Sequence, residues 1–82
     1  MSTVPLSSLR PGAAGIVARV LPPRSVPDEQ LVRRLVEIGF LPGEPVRIIA
    51  RAPGDEPIAV RLGRSTFALR GFEAAFVQVE AA

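Results

Sequence analysis

A chain of 82 residues is long enough for one small domain, and the absence of cysteine means that its core must hold without a disulfide. Ten arginines against eight acidic residues leave a net charge of +2, and the two signs are interspersed without the positive run typical of nucleic-acid-binding proteins. No apolar run approaches the roughly 20 residues of a membrane span, and the N-terminus lacks a signal-peptide pattern. We therefore expect one cytoplasmic domain over residues 1–82.

The first predicted strand is the segment AGIVARV, which ends at Val20. Alternation divides its side chains between two faces, with Ile16, Ala18 and Val20 on one and Val17 and Arg19 on the other. The two prolines that follow end the strand, because proline cannot donate to a sheet ladder.

A helix is expected to begin between Ser25 and Asp28, because either side chain can cap free amide groups and Pro27 suits a first turn. Gly39 stands where helices commonly end with a left-handed residue, and Phe40 can then fold back onto the last apolar turn. The apolar residues of this helix cluster on one side: Leu31, Val32, Leu35, Val36 and Ile38.

The rest of the chain alternates with the period of strands. Pro42-Gly43 suits a tight turn, and strands are predicted over residues 46–51 and 58–62. Gly63-Arg64 favours a type II′ hairpin leading into STFALR, and a short helical turn at GFEAA precedes the final strand FVQVE. Five short strands with one inserted helix predict a mostly β fold, a small SH3-like β-barrel of about five strands, because so few strands must curl to cover their apolar face.

The available side chains exclude most kinds of catalytic site. The sequence has no histidine, cysteine or lysine, so it lacks the usual transition-metal ligands, a base for a serine nucleophile and the lysine of a phosphate-binding loop. Asp55 and Glu56 could be imagined as an acid/base pair or a weak calcium site, but PGDEP is more typical of a turn. We therefore expect a protein that is not an enzyme and holds no cofactor or metal.

Four arginines are predicted on the solvent side of adjacent strands: Arg47, Arg51, Arg61 and Arg70. One interpretation is a cationic face for phosphate groups or an acidic partner. The alternative, which we favour, is a solvated face balanced by nearby carboxylates, because nucleic-acid binders also tend to interleave aromatic residues and this face has none. Those carboxylates are Glu44, Asp55, Glu56 and Glu73.

The phrase GFLPGEP joins the helix to the next strand and leaves Leu41 at a corner. Gly39 and Pro42 restrict the backbone on either side of it, and a fixed apolar side chain can anchor a partner with little loss of entropy. The alternative is that Leu41 plugs one end of the barrel. Our candidate protein-binding residues are Leu41, Pro42, Gly43, Arg47 and Arg61.

Several segments together resemble the ferrous iron transport protein A family, FeoA, over nearly the whole chain. The most specific piece is the helix end and corner, where Leu35 and residues 39–43 look like the family signature L-x-x-[LIM]-G-[ILMF]-x-P-G. The hairpin over residues 57–70 is similar to a second family pattern, with Phe67 where the family often has leucine or isoleucine.

This resemblance implies a cytosolic SH3-like barrel similar to the C-terminal domain of iron-dependent repressors. It also implies a role in bacterial ferrous iron uptake, through action on the membrane permease that carries a cytosolic GTP-binding domain. The hypothesis is a non-enzymatic accessory protein that docks on this permease through the corner at Leu41–Gly43. The alternative is an iron-repressor-like module that binds nucleic acid or an acidic protein through its arginine face, and self-association stays open.

Overall fold

Six strands and two helices follow one another in the computed structural model, which describes residues 2–82. The main elements are β1 (Val4–Pro5), β2 (Ala14–Val20), α1 (Val26–Ile38), β3 (Pro45–Arg51), β4 (Ile58–Leu62), β5 (Ser65–Leu69), α2 (Gly71–Ala74) and β6 (Val77–Ala81), with a 3₁₀ turn at Leu6–Ser8. The mostly β class with one inserted main helix is confirmed, but there is a sixth strand. Alternation could not predict β1, which has two residues and contains a proline.

The strands form one antiparallel sheet in the order β1-β6-β2-β3-β4-β5. Within residues 2–82 no ladder joins β1 to β5, so the sheet has two edges instead of a fully hydrogen-bonded barrel. Five of the strands, the 3₁₀ turn, both helices and the connection after α1 supply one core: Leu6, Val17, Leu35, Phe40, Val46, Ile48, Ile58, Val60, Leu62, Leu69, Ala74, Val77 and Val79.

A β-bulge in β2 changes which of its side chains face the core. The pairing with β6 shifts between Val17 and Arg19, so that Val17 and Val20 both lie opposite buried valines. Directly opposed residues share one side of a sheet, and a bulge adds one residue to one strand. The expected grouping of Val20 with Ile16 is therefore wrong, because Ile16 lies on the outer side and is 45% exposed.

A second bulge lies in β3. Its pairing with β4 shifts between Ile48 and Ala50, so that Arg51 lies opposite the buried Ile58. Simple alternation assigned Arg51 to the solvent side, but the extra residue turns it towards the inner side of the sheet.

Helix α1 begins and ends as its sequence predicts. The Oγ of Ser25 accepts a hydrogen bond from the amide of Asp28 at 3.4 Å. At the other end Gly39 has φ +123°, and the amides of Gly39 and Phe40 donate to the carbonyls of Val36 and Leu35 at 3.1 Å each. This Schellman motif directs Phe40 into the core, where it is 1% exposed.

The apolar side of α1 is narrower than expected. Leu35 is fully buried, while Leu31 and Ile38 are partly buried against the core. Val36 is 42% exposed.

Over the part of the chain that the structure describes, no helix is both long enough and apolar enough to cross a bilayer.

Three Pro-Gly pairs form the same kind of turn, at residues 11–12, 42–43 and 53–54. In each, the residue after glycine donates its amide to the carbonyl before proline, at 2.9 Å in Arg10–Ala13, 3.1 Å in Leu41–Glu44 and 2.8 Å in Ala52–Asp55. The glycines have φ between +84° and +93°, as the third position of a type II turn requires. The turn interpretation of PGDEP is thus confirmed.

Candidate functional site

The corner between α1 and β3 is held by a dense set of backbone hydrogen bonds. The amide of Leu41 donates to the carbonyl of Gly39 at 2.7 Å, and the amide of Glu44 donates to the carbonyl of Leu41 at 3.1 Å. The corner is also joined to β2, because Gly43 donates to the Val17 carbonyl and Val17 donates back to Glu44, both at 2.8 Å. The backbone of the corner is therefore tied both to the helix end and to the sheet.

The side chain of Leu41 remains accessible on this constrained backbone. It is 45% exposed and does not belong to the core cluster, whereas its neighbour Phe40 is 1% exposed. The exposure of Leu41 argues against the alternative that it plugs one end of the barrel, and the buried residue of this pair is Phe40. An exposed leucine on a fixed backbone is suited to contact with a partner.

Arg47 and Arg61, the two arginines among the candidate residues, lie directly opposite each other on β3 and β4. Both are exposed on the outer side of the sheet. Like charges that are directly opposed on a sheet repel each other. Nη1 of Arg47 donates a hydrogen bond to the carbonyl of Gly12 at 2.7 Å, which fixes the position of one of the two charges. The structure therefore provides two directly opposed arginines, and the guanidinium group of one of them is anchored to the first Pro-Gly turn.

The predicted face of four arginines is smaller than expected, because Arg51 lies elsewhere. Nη2 of Arg51 donates to the carbonyls of Ser7 at 2.5 Å and Leu9 at 2.8 Å, which ties β3 to the 3₁₀ turn. Arg70 follows the end of β5, and its amide donates to Glu73 at 2.8 Å.

The sequence predicts that Glu73 helps to balance the arginine face, but the structure places it elsewhere. It is 7% exposed, and its carboxylate forms an ion pair with Nη1 of Arg34 at 2.5 Å. The pair joins the outer part of α1 to α2. Sequence patterns could not reveal it, because Arg34 and Glu73 are 39 residues apart and meet only in the folded chain.

Replacing Arg51 by alanine is expected to destabilise the fold by about 2 kcal/mol, because two carbonyls would lose a charged donor. Replacing Arg47 by alanine, which removes one exposed contact, should change the free energy of unfolding by less than about 0.5 kcal/mol. Urea denaturation of both variants measures the difference. Equal losses would contradict the different roles assigned to the two arginines.

A mainly apolar groove of about 300 Å³ lies on the outer side of the sheet between β2, β3 and β4. Arg47 and Arg61 line it together with Ile16, Pro45 and Gly63. Only Glu44 separates the candidate corner from Pro45, so the backbone leads from the corner to the edge of the groove. Sequence reasoning missed Ile16 and Pro45 as lining residues, and only the observed register brings them together, as direct partners across β2 and β3.

The acidic residues are dispersed in the fold. Within residues 2–82, no group of three or more potential ligands is arranged to hold a metal ion. Asp55 belongs to the third Pro-Gly turn, and Oε1 of Glu56 accepts a hydrogen bond from the amide of Gly71. The two carboxylates are therefore held in different local structures.

Comparisons with domain families and with solved structures point to one family. The FeoA domain matches residues 4–81. The zinc complex of FeoA from Stenotrophomonas maltophilia, described as a prokaryotic SH3 domain protein, is 38% identical, with a TM-score of 0.82 over 98% of this chain and 91% of that one. A FeoA-like protein from Clostridium acetobutylicum is 25% identical, with a TM-score of 0.86 over 99% and 88% of the two chains.

A more distant likeness extends to a transcription factor. A manganese-dependent transcriptional repressor is 28% identical, with a TM-score of 0.79 over 98% of this chain but only 42% of the repressor. A sequence search among curated proteins found no match. The fold is SH3-like, and the match over residues 4–81 shows that the chain belongs to the FeoA domain family.

Proposed function

We propose that the protein is a non-enzymatic, cytoplasmic accessory protein of bacterial ferrous iron uptake that docks on the GTP-binding part of the ferrous iron permease. Membership of the FeoA domain family supports the link to iron uptake. The related Stenotrophomonas maltophilia protein is described as possibly acting as a ferrous iron transport activating factor. Contact with the membrane would occur only through the permease.

The observation that carries the docking proposal is the exposed Leu41 on its constrained corner. Binding surfaces lose affinity when flexible groups must become ordered, and a side chain presented by a fixed backbone avoids much of that cost. A few anchoring residues usually supply most of the binding energy. Pro42 and Gly43 maintain the turn that presents this leucine.

The neighbouring groove suggests the chemistry of the docked surface. Ile16 and Pro45 provide apolar contacts, while Arg47 and Arg61 provide two positive charges at the same place. A surface with an apolar centre and a carboxylate at its rim would match both features. The proposed interface therefore combines the corner with the part of the groove that Ile16, Pro45, Arg47 and Arg61 line.

Titration of the protein into the soluble GTP-binding domain of its permease, followed by calorimetry with and without a GTP analogue, tests the proposal. Leu41→Glu is expected to weaken binding by at least about tenfold, because a central anchor typically contributes about 2 kcal/mol or more. Val26→Glu is the control, since Val26 is 73% exposed and lies at the opposite end of α1. This variant should bind as tightly as the wild type does.

Two outcomes would contradict this proposal in different ways. If Leu41→Glu binds as tightly as the wild type, the corner is not the docking face. If the wild type binds in neither nucleotide state, the GTP-binding domain is not the partner. Sedimentation of the protein alone would show whether self-association accompanies or replaces docking.

A second candidate function is suggested by the likeness to the manganese-dependent repressor. Such a module would bind nucleic acid or an acidic protein through Arg47 and Arg61. The engagement of Arg51 with two backbone carbonyls leaves a small cationic face, which disfavours this alternative. Two phosphate contacts would give a slope of about −1.8 in log affinity against log salt concentration, which DNA binding at several salt concentrations would measure.

A further inference from the structure

Strand β5 forms an open edge of the sheet. It pairs with β4 alone, and within residues 2–82 no backbone hydrogen bond joins it to another strand. The two-residue loop at Gly63-Arg64 makes Leu62 and Ser65 a hydrogen-bonded pair. From Ser65 onwards, every second residue of β5 therefore directs its amide and carbonyl towards β4. The amides and carbonyls of Thr66 and Ala68 consequently point away from β4.

This edge lacks the features with which proteins usually block strand pairing. Residues 65–69 include no proline and no charged side chain, and β5 contains no bulge. Thr66 and Ala68 are exposed, and Phe67 between them is half-buried. An edge of this kind can accept a further strand, because its backbone groups are unpaired and accessible.

A cleft of about 170 Å³ lies beside the edge, between the β4–β5 hairpin and the end of α1. Ser65 and Phe67 line it on the strand side, Ile38 and Gly39 line it on the helix side, and Glu44 adds a carboxylate. Strand addition gains its affinity from main-chain hydrogen bonds and its specificity from pockets for alternate side chains. Ile38 and Phe67 form the apolar part of the cleft, where an inward-facing apolar side chain of an added strand would pack.

The charges around the edge select the kind of strand that fits. Residues 57–70 contain Arg61, Arg64 and Arg70 but no carboxylate, and the ion pair found within residues 2–82 does not involve any of them. Two carboxylates from outside this segment lie at its Arg70 end, where Glu56 and Glu73 accept hydrogen bonds from the backbone amides of Gly71 and Arg70. An antiparallel pairing of two copies centred on Phe67 would place Arg64 of each copy opposite Arg70 of the other. Since like charges opposed on a sheet repel, a second copy is a poor occupant.

We propose that β5 accepts an extended segment of a partner protein, with alternating apolar residues at its centre and an acidic residue at each end. Antiparallel addition would pair the backbone of this segment with Thr66 and Ala68 and set its two carboxylates opposite Arg64 and Arg70. The two acidic residues would lie six positions apart. This inference does not depend on the role in iron uptake or on docking at Leu41.

A synthetic peptide of sequence EVTVTVE, labelled with fluorescein, is the probe. Its valines would face inward over Phe67 and the cleft, and fluorescence anisotropy would report its binding. We expect saturable binding to the wild type and at least tenfold weaker binding of the matched peptide KVTVTVK. Hydrogen exchange at the amides of Thr66 and Ala68 should be fast in the free protein and at least tenfold slower with EVTVTVE bound.

Ala68→Pro removes one outward amide at an edge position where proline is tolerated, and Ala68→Val keeps that amide. EVTVTVE should bind at least tenfold more weakly to Ala68→Pro and with wild-type affinity to Ala68→Val and Leu41→Glu. Equal binding of the two peptides, or unchanged exchange at Thr66 and Ala68, would overturn the proposal without relying on any variant. A wild-type dimer that Ala68→Pro dissociates would also overturn it, because the occupant would then be a second copy.

Discussion

Replacing Gly15 by alanine is expected to destabilise the protein by about 3 kcal/mol, the upper end of the usual range for overpacking. Gly15 lies in β2 between its neighbours β3 and β6. A Cβ added there would lie 2.6 Å from the carbonyl oxygen of Glu80 and would collide with a side-chain methyl of Val79. The obstacle includes backbone, so the strands must separate to accommodate even one methyl group. The melting temperature should fall by roughly 15 °C.

Gly12→Ala is the matched control for this substitution. Gly12 has φ +88° but open space around its α-carbon, so alanine there meets an unfavourable backbone conformation and no collision. Its expected cost is about 1 kcal/mol. Thermal and urea denaturation of both variants separate crowding from backbone strain. A Gly15→Ala protein that melts within a few degrees of the wild type would show that β2 and β6 can move apart easily.

Replacing Phe40 by alanine is expected to cost about 4 kcal/mol, the second large effect. Phe40 is 1% exposed and belongs to the core, so its removal loses apolar burial and leaves a cavity. The same residue supplies the apolar contact of the Schellman motif at the end of α1. Phe40→Leu keeps most of the volume and should cost less than about 1.5 kcal/mol, which provides a folded variant for comparison.

Leu41→Ala is the matched control, because its position is adjacent but its exposure differs. Leu41 is 45% exposed, so its replacement by alanine should change the free energy of unfolding by less than about 0.5 kcal/mol. Chemical denaturation of the three variants measures these costs. Similar losses at Phe40 and Leu41 would mean that both leave the solvent on folding, and would remove the reason for treating Leu41 as a docking residue.

Local sequence signals predicted the segments whose structure depends on near neighbours. The start of α1 follows from the capping group of Ser25, and its end follows from Gly39 and Phe40. The corner at Pro42-Gly43 and the hairpin at Gly63-Arg64 follow from residues with a strong preference for one turn. Each of these features is decided within about five residues.

The errors occurred where a distant part of the chain decides the local structure. A bulge depends on the partner strand, so alternation alone could not show that Arg51 turns inward or that Val20 joins the core. Strand β1 exists because β6 pairs with it, across 75 residues from Val4 to Val79. Alternation did place Arg47 and Arg61 on one side, but their direct opposition depends on the register of β3 and β4.

The three Pro-Gly turns also affect the unfolded chain. Proline restricts φ before folding as well as after it, so a turn that begins with proline loses less conformational entropy when the protein folds. A compatible proline contributes roughly 0.4–1 kcal/mol in this way, and three give roughly 1–3 kcal/mol. For a chain of 82 residues without a disulfide, this is a considerable share of a stability of about 5–10 kcal/mol. Part of the stability of this small domain therefore arises from the restricted freedom of its denatured state.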